Sequence, residues 1–156
     1  MKKINVLLNE YGQSHQNDFN KAIHWICVPL IMFSLIGLLI HIPFISIPQM
    51  FFNWGSVALL LALVYYFTLS YIMFLGFIPI AILILYLNWN LIQVCNQNNC
   101  NSLILLVIIF IAAWIGQFIG HKIEGRKPSF LKDLQFLLIG PAWLLDMSFR
   151  KAGINF

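Results

Sequence analysis

Between Ala22 and His121 the chain runs one hundred residues without a single Asp, Glu, Lys or Arg. Its fourteen formal charges, nine Lys/Arg and five Asp/Glu, all fall in Met1–Lys21 and Lys122–Phe156. A water-soluble surface is not built without charge, so this window reads as a membrane body and not as the interior of a soluble domain. Chemistry in contact with water belongs to the two charged ends. Three of the four histidines, His15, His24 and His121, stand at or just outside the borders of the window.

A chain of 156 residues is expected to form a single integral membrane domain, residues 1–156. The net charge of +4 comes from basic residues that flank apolar segments. That placement points to orientation against an anionic leaflet and not to nucleic acid. No apolar run precedes Glu10, Tyr11 and His15, so the first apolar segment is expected to direct insertion itself. Cys27 opens an apolar segment and reads as a small buried hydrophobe. Cys95 and Cys100 bracket the polar run CNQNNC. A disulfide forms there if the run faces an oxidising space, and two free thiols are the alternative. There is no second pair of soft ligands for a zinc pattern.

Lys3 to Gln16 reads as a short amphipathic helix, with Val6, Leu7 and Tyr11 toward the membrane and Glu10, Gln13 and Gln16 toward water. Asn17-Asp18 is an N-cap signal for a new helix starting near Phe19. The break matters, because His15 and His24 would point to opposite sides of one unbroken helix, whereas a turn lets both face a common point. Ala22 to Ile40 is long enough at ~1.5 Å per residue to cross a hydrocarbon core of ~30 Å, with Pro29 as a kink or second start. A loop is expected over His41–Asn53. Trp54 to Leu87 is too long for one span and suits two short ones, broken near Thr68–Tyr71. Leu87–Ser102 reads as an Asn-rich loop, and Leu103–Gly120 as another span. Leu134–Leu145 is short and carries Gly140-Pro141 in its middle, which suits a re-entrant or interfacial segment. The expected fold is an all-α polytopic membrane helical bundle of four spans plus this Gly-Pro-broken segment. Both termini would be cytoplasmic, because a fifth span would put Arg150 and Lys151 on the far side against the positive-inside tendency.

With that parity, the first span starts beside His24 and the last ends beside His121, on one membrane boundary. His41 lies at the other end of the first span, ~25 Å away along a straight helix. Gln117, His121 and Glu124 share a helical face if the helix continues past Gly120. Tyr11 stands four residues before His15, and Asn20 four before His24. Each histidine thus has a polar neighbour one turn earlier, placed to hold its second ring nitrogen, which metal-binding histidines need. Three imidazoles and a carboxylate suit Fe(II), Zn or Mn. The alternative is a set of interfacial histidines without a ligand role. Lys122, Arg126, Lys127 and Lys132 either anchor the helix end at headgroups or capture an anionic one such as a fatty-acid carboxylate.

Three blocks together resemble the 2-hydroxy fatty acid dioxygenase family, membrane proteins of phytosphingosine breakdown to odd-numbered fatty acids. They are YGQSHQNDFNKAIHWICVP, WIGQFIGHKIEGRKPSF and LKDLQFLLIGPAW. The resemblance implies an Fe(II)-dependent dioxygenase that cleaves a 2-hydroxy fatty acid with O2 to the acid one carbon shorter. The family's iron-binding histidines fall on His15, His24 and His121. Tyr11, Asn20, Gln117 and Glu124 would stand behind the ligands or join them. Glu124 comes one residue earlier after His121 than in the family's Gly-His-x-x-x-Glu pattern. Lys122 or Arg126 would pair with the substrate carboxylate. A 2-hydroxy acid can chelate iron through hydroxyl and carboxylate, and three protein ligands leave room for O2. The host would be a bacterial inner membrane or the endoplasmic reticulum. Two other readings stand beside this one: a zinc-dependent membrane lipid hydrolase with Glu124 as general base, and a non-enzymatic membrane scaffold or binding protein.

Overall fold

The computed structural model describes residues 3–13, 15–44, 49–125, 130–151 and 153, with the backbone alone for residues 3 and 130–136. The described residues form six α-helices and no strand. Helix α1 is Lys3–Gln13. Ile4, Leu8 and Tyr11 are buried along one side of it, and His15 beyond its end is buried too, whereas Val6 is exposed. The side of α1 that packs on the bundle thus runs through Ile4, Leu8 and Tyr11.

Asn17 ends this first element and starts the next. Its side-chain oxygen accepts the N–H groups of Phe19 at 2.9 Å and Asn20 at 3.3 Å, which caps helix α2, Asp18–Ile40. Pro29 lies inside α2 without breaking it. Helix α3, Trp54–Leu69, is capped by Asn53 and runs back along the bundle. Its start packs at the end of α2, where a Cβ on Gly55 would meet Ile40 and Ile36. Near its other end the Tyr66 hydroxyl reaches the last helix. Only Ser70 separates α3 from α4, Tyr71–Gln97, so the expected break at Thr68–Tyr71 is where the chain turns.

Helix α4 continues through most of the stretch expected to be an Asn-rich loop; the turn itself is confined to residues 98–101. The asparagine amides of this stretch are taken up by the helix itself. Asn90 donates to Tyr86 O, and Asn98 to Val94 O. Buried Asn88 donates to Ile84 O and, across to α2, to Phe33 O, a polar link between helices in apolar surroundings. Asn99 turns the chain at φ 54°, and Asn101 caps helix α5, Ser102–Ile123. The structure pairs Cys95 with Cys100 at this turn.

α2 and α5 pack along their length. Two glycines of α5 set that approach: a Cβ on Gly116 would collide with Cys27 Sγ, and one on Gly120 with the Asn20 side chain. Helix α6, Phe130–Lys151, packs on α1, α2 and α4. It is one helix through Gly140-Pro141, so the expected break is absent. Proline removes the donor to the carbonyl four residues earlier, but surrounding contacts hold the segment. The Tyr66 hydroxyl donates to Leu138 O at 2.7 Å, and Gly140 leaves room for the Tyr11 phenol. Residues 139–144 are all buried. Among the described residues three helices, α2, α4 and α5, are long and apolar enough to cross a membrane; α3 has 16 residues and falls short of that length. The sequence reading of four spans is thus matched by three on length and composition.

Candidate metal centre

His15 sits in the turn between α1 and α2, His24 one and a half turns into α2, and His121 in the last turn of α5. The turn set by Asn17 and the close packing of α2 on α5 bring them together. One ring nitrogen from each lies within 4.8 Å of the others. The ring centroids are 4.3 Å apart for His15–His24, 5.3 Å for His24–His121 and 5.5 Å for His15–His121. His15 and His24 are buried, and His121 is half-buried.

Hydrogen bonds decide which nitrogens face inward. His15 Nδ1 lies 2.7 Å from Tyr11 O, and His24 Nδ1 lies 2.9 Å from Asn20 O. A carbonyl only accepts, so both Nδ1 atoms carry the hydrogen, and in a neutral ring that makes each Nε2 an acceptor. These two Nε2 atoms are 2.9 Å apart. Two lone pairs at that distance repel unless a cation shared between them intervenes. Neighbouring nitrogens bound to one metal at ~2.1 Å sit about 3.0 Å apart at octahedral angles and about 3.4 Å at tetrahedral ones. The donor set therefore fits a divalent transition ion, with nitrogen ligands and no thiolate.

Tyr11 and Asn20 support the rings, but not as expected. The nitrogens are held by their backbone carbonyls, because in a helix the carbonyl of residue i lies beside the side chain of i+4. The side chains do other work. The Tyr11 ring stacks on His15, with centroids 4.2 Å apart and planes at 17°. Asn20 Nδ2 donates to Glu124 Oε2 at 2.9 Å. Gln117 is buried, and its Oε1 meets no donor among the described residues.

Glu124, expected behind the ligands or among them, stands behind the three histidines as a clasp. Its carboxylate accepts Gln16 N–H at 2.7 Å, Asn17 N–H at 3.1 Å and the Asn20 amide. It fastens the His15 turn to the end of α5. Burial alone would raise its carboxyl, but the donors from Gln16, Asn20 and Asn17, together with His15, hold it below the ordinary carboxylate range. The residue named as general base in the hydrolase reading is thus engaged by three donors. Trp143 was not anticipated. Its ring lies 5.4 Å from both His15 and Tyr11, on the opposite end of the chain from either. The only hint in the sequence is Gly140, small enough to admit Tyr11 beside it.

His41 is not part of the cluster. It lies at the far end of α2, with Nδ1 2.8 Å from Gly37 O and Nε2 2.9 Å from Ser102 Oγ. Lys122 is exposed beside His121. Arg126 lies outside the described residues.

Fold and site together define a helical protein with membrane-length apolar helices and a three-histidine cradle able to hold a metal ion. More particularly, the family model for 2-hydroxy-palmitic acid dioxygenase Mpo1-like proteins matches residues 1–152, and the chain belongs to that family. Comparison with curated proteins and with solved structures gives no match.

Proposed function

We propose that the protein is an Fe(II)-dependent dioxygenase that converts a 2-hydroxy fatty acid and O2 into the acid one carbon shorter. The observation that carries this reading is the pair of carbonyl-tethered imidazoles, His15 and His24, whose Nε2 atoms face each other at 2.9 Å with His121 alongside. His15, His24 and His121 hold the iron. Bound there, iron supplies the redox chemistry with O2 and a Lewis-acidic point for the hydroxy acid head.

The protein's own groups prepare that point. The carbonyls of Tyr11 and Asn20 fix the tautomers. Tyr11 stacks on one face of the His15 ring, Trp143 packs beside both rings, and Glu124 holds the backbone that follows His15 against α5. Lys122 and Arg126 draw the substrate carboxylate to the charged boundary, while the acyl tail lies among the apolar helices. α3 completes the bundle as a short fourth span, and both termini are cytoplasmic in a bacterial inner membrane or the endoplasmic reticulum. In the sequence the basic residues flank the charge-free window, and the Cys95–Cys100 disulfide lies at the α4–α5 turn, at the other end of α5 from His121. That distribution suits a reducing space on the triad side and an oxidising one opposite.

The test is oxygen uptake and consumption of 2-hydroxypalmitate by purified protein carrying iron. Wild type is expected to turn over and His121→Ala is expected not to. One equivalent of zinc with no oxygen uptake contradicts the reading.

A further inference from the structure

Gln117 is 5% exposed, and its side-chain oxygen meets no donor among the described residues. A buried acceptor left without a donor costs roughly 1–3 kcal/mol, so such an atom in a functional site points to a donor brought by a ligand. Gln117 stands one turn before His121 on the same face of α5. α5 runs outward to the boundary where the histidines gather, so Gln117 lies about 6 Å deeper in the bundle than His121. Helical side chains lean toward the N-terminus, so the His121 ring leans toward the level of Gln117.

A second buried acceptor, Asn20 Oδ1, also lacks a donor. It lies on the boundary side of His24, against Gly120, with its amide nitrogen tied to Glu124. Each of the two residues thus stands one helical turn before a histidine of the cradle, Asn20 before His24 and Gln117 before His121. A 2-hydroxy acid offers a carboxylate, which only accepts, and one donor, the hydroxyl on carbon 2. Carbon 2 is where the tail departs toward the apolar helices. Its hydroxyl therefore meets the deeper oxygen, and the carboxylate stays toward the charged boundary.

We propose that Gln117 reads the substrate's 2-hydroxyl, its Oε1 accepting that O–H, and so is the residue that selects 2-hydroxy acids over acids without a hydrogen-bond donor at carbon 2. The inference rests on the 2-hydroxy acid reading of the site. It adds to metal chelation a protein group with a stated preference.

Binding of 2-hydroxypalmitate and 2-methoxypalmitate, measured by tryptophan quenching in detergent micelles, separates the two contributions. The ether retains an oxygen for the metal but has no hydrogen to donate. Wild type is expected to bind the hydroxy acid about tenfold more tightly than the ether, the worth of one hydrogen bond. In Gln117→Met, close in size but without an acceptor, the two acids are expected to bind alike, with metal content unchanged. Gln117→Glu keeps an acceptor and is expected to keep the preference. A preference that survives in Gln117→Met, or is lost equally in Gln117→Glu, overturns the assignment. Loss of metal from Gln117→Met also overturns it, because the residue then serves His121 and not the substrate. Wild type that carries iron yet binds no 2-hydroxy acid fails the proposed function itself, a result distinct from these.

Discussion

The two ends of helix α2 carry the same device with opposite outcomes. At each end a histidine donates from Nδ1 to the backbone carbonyl four residues earlier: His24 to Asn20 O at 2.9 Å, His41 to Gly37 O at 2.8 Å. Both therefore present Nε2 as an acceptor. His41 is answered by the Ser102 hydroxyl at 2.9 Å and serves as a tie between α2 and α5. His24 is answered by the Nε2 of His15, which is an acceptor while the tethered His15 ring is neutral. At His41 the second nitrogen ties two helices, whereas at His24 it lies in a group of three imidazoles that could hold a metal ion. What separates two histidines on one apolar helix is thus not their spacing but what the inward nitrogen meets.

The comparison breaks most sharply at the histidines themselves. His24→Ala is expected to abolish metal retention, an effect larger than the ~10–100-fold that follows loss of an outer partner. His41→Ala is expected to leave metal content unchanged and to cost on the order of 1 kcal/mol for the lost Ser102 contact. Metal analysis and thermal unfolding of both variants check this, and equal metal loss in the two would erase the distinction between the ends.

Trp143 comes next. Its truncation to Ala removes the ring beside His15 and Tyr11 and is expected to destabilise by about 3–5 kcal/mol, as large core deletions do. Metal affinity should fall with it, and Trp143→Phe should restore both in large part. An affinity untouched by Trp143→Ala would mean that His15 needs no clamp.

These outcomes also show which parts of the molecule could be read from the sequence. The Asn17 cap, the break at Ser70 and the gathering of His15, His24 and His121 follow from local signals, namely a capping side chain, a polar interruption and charges confined to one boundary. Other features were hidden because distant contacts decide them. Leu87–Gln97 looked like a loop, but its asparagines bond to their own helix and to Phe33 O. Gly140-Pro141 looked like a break, but Tyr66 and Tyr11 hold the helix through it. Glu124 looked available to a metal until the turn that carries His15 placed two backbone N–H groups on it. The role of Tyr11 and Asn20 was visible, but not that the backbone carbonyl performs it.

A smaller effect sharpens the role of Glu124. Glu124→Gln keeps the shape but weakens the acceptor, and metal affinity is expected to fall by about tenfold, the lower end for an outer partner. The carboxyl is held below its ordinary value in the folded protein, so the clasp is fully present above the ordinary carboxylate range. It is lost only as pH falls through the lowered folded value. Acid unfolding followed by circular dichroism should show wild type losing this contribution at low pH while Glu124→Gln shows no matching loss. Identical acid profiles would mean that the clasp does not bear on stability.

X-ray absorption of the iron-loaded protein tests the central claim most directly. Scattering from three imidazole rings is expected in wild type, two or fewer in His24→Ala, and three again in His41→Ala. A wild-type spectrum without imidazole scattering, or one unchanged by His24→Ala, would contradict a metal held between His15, His24 and His121.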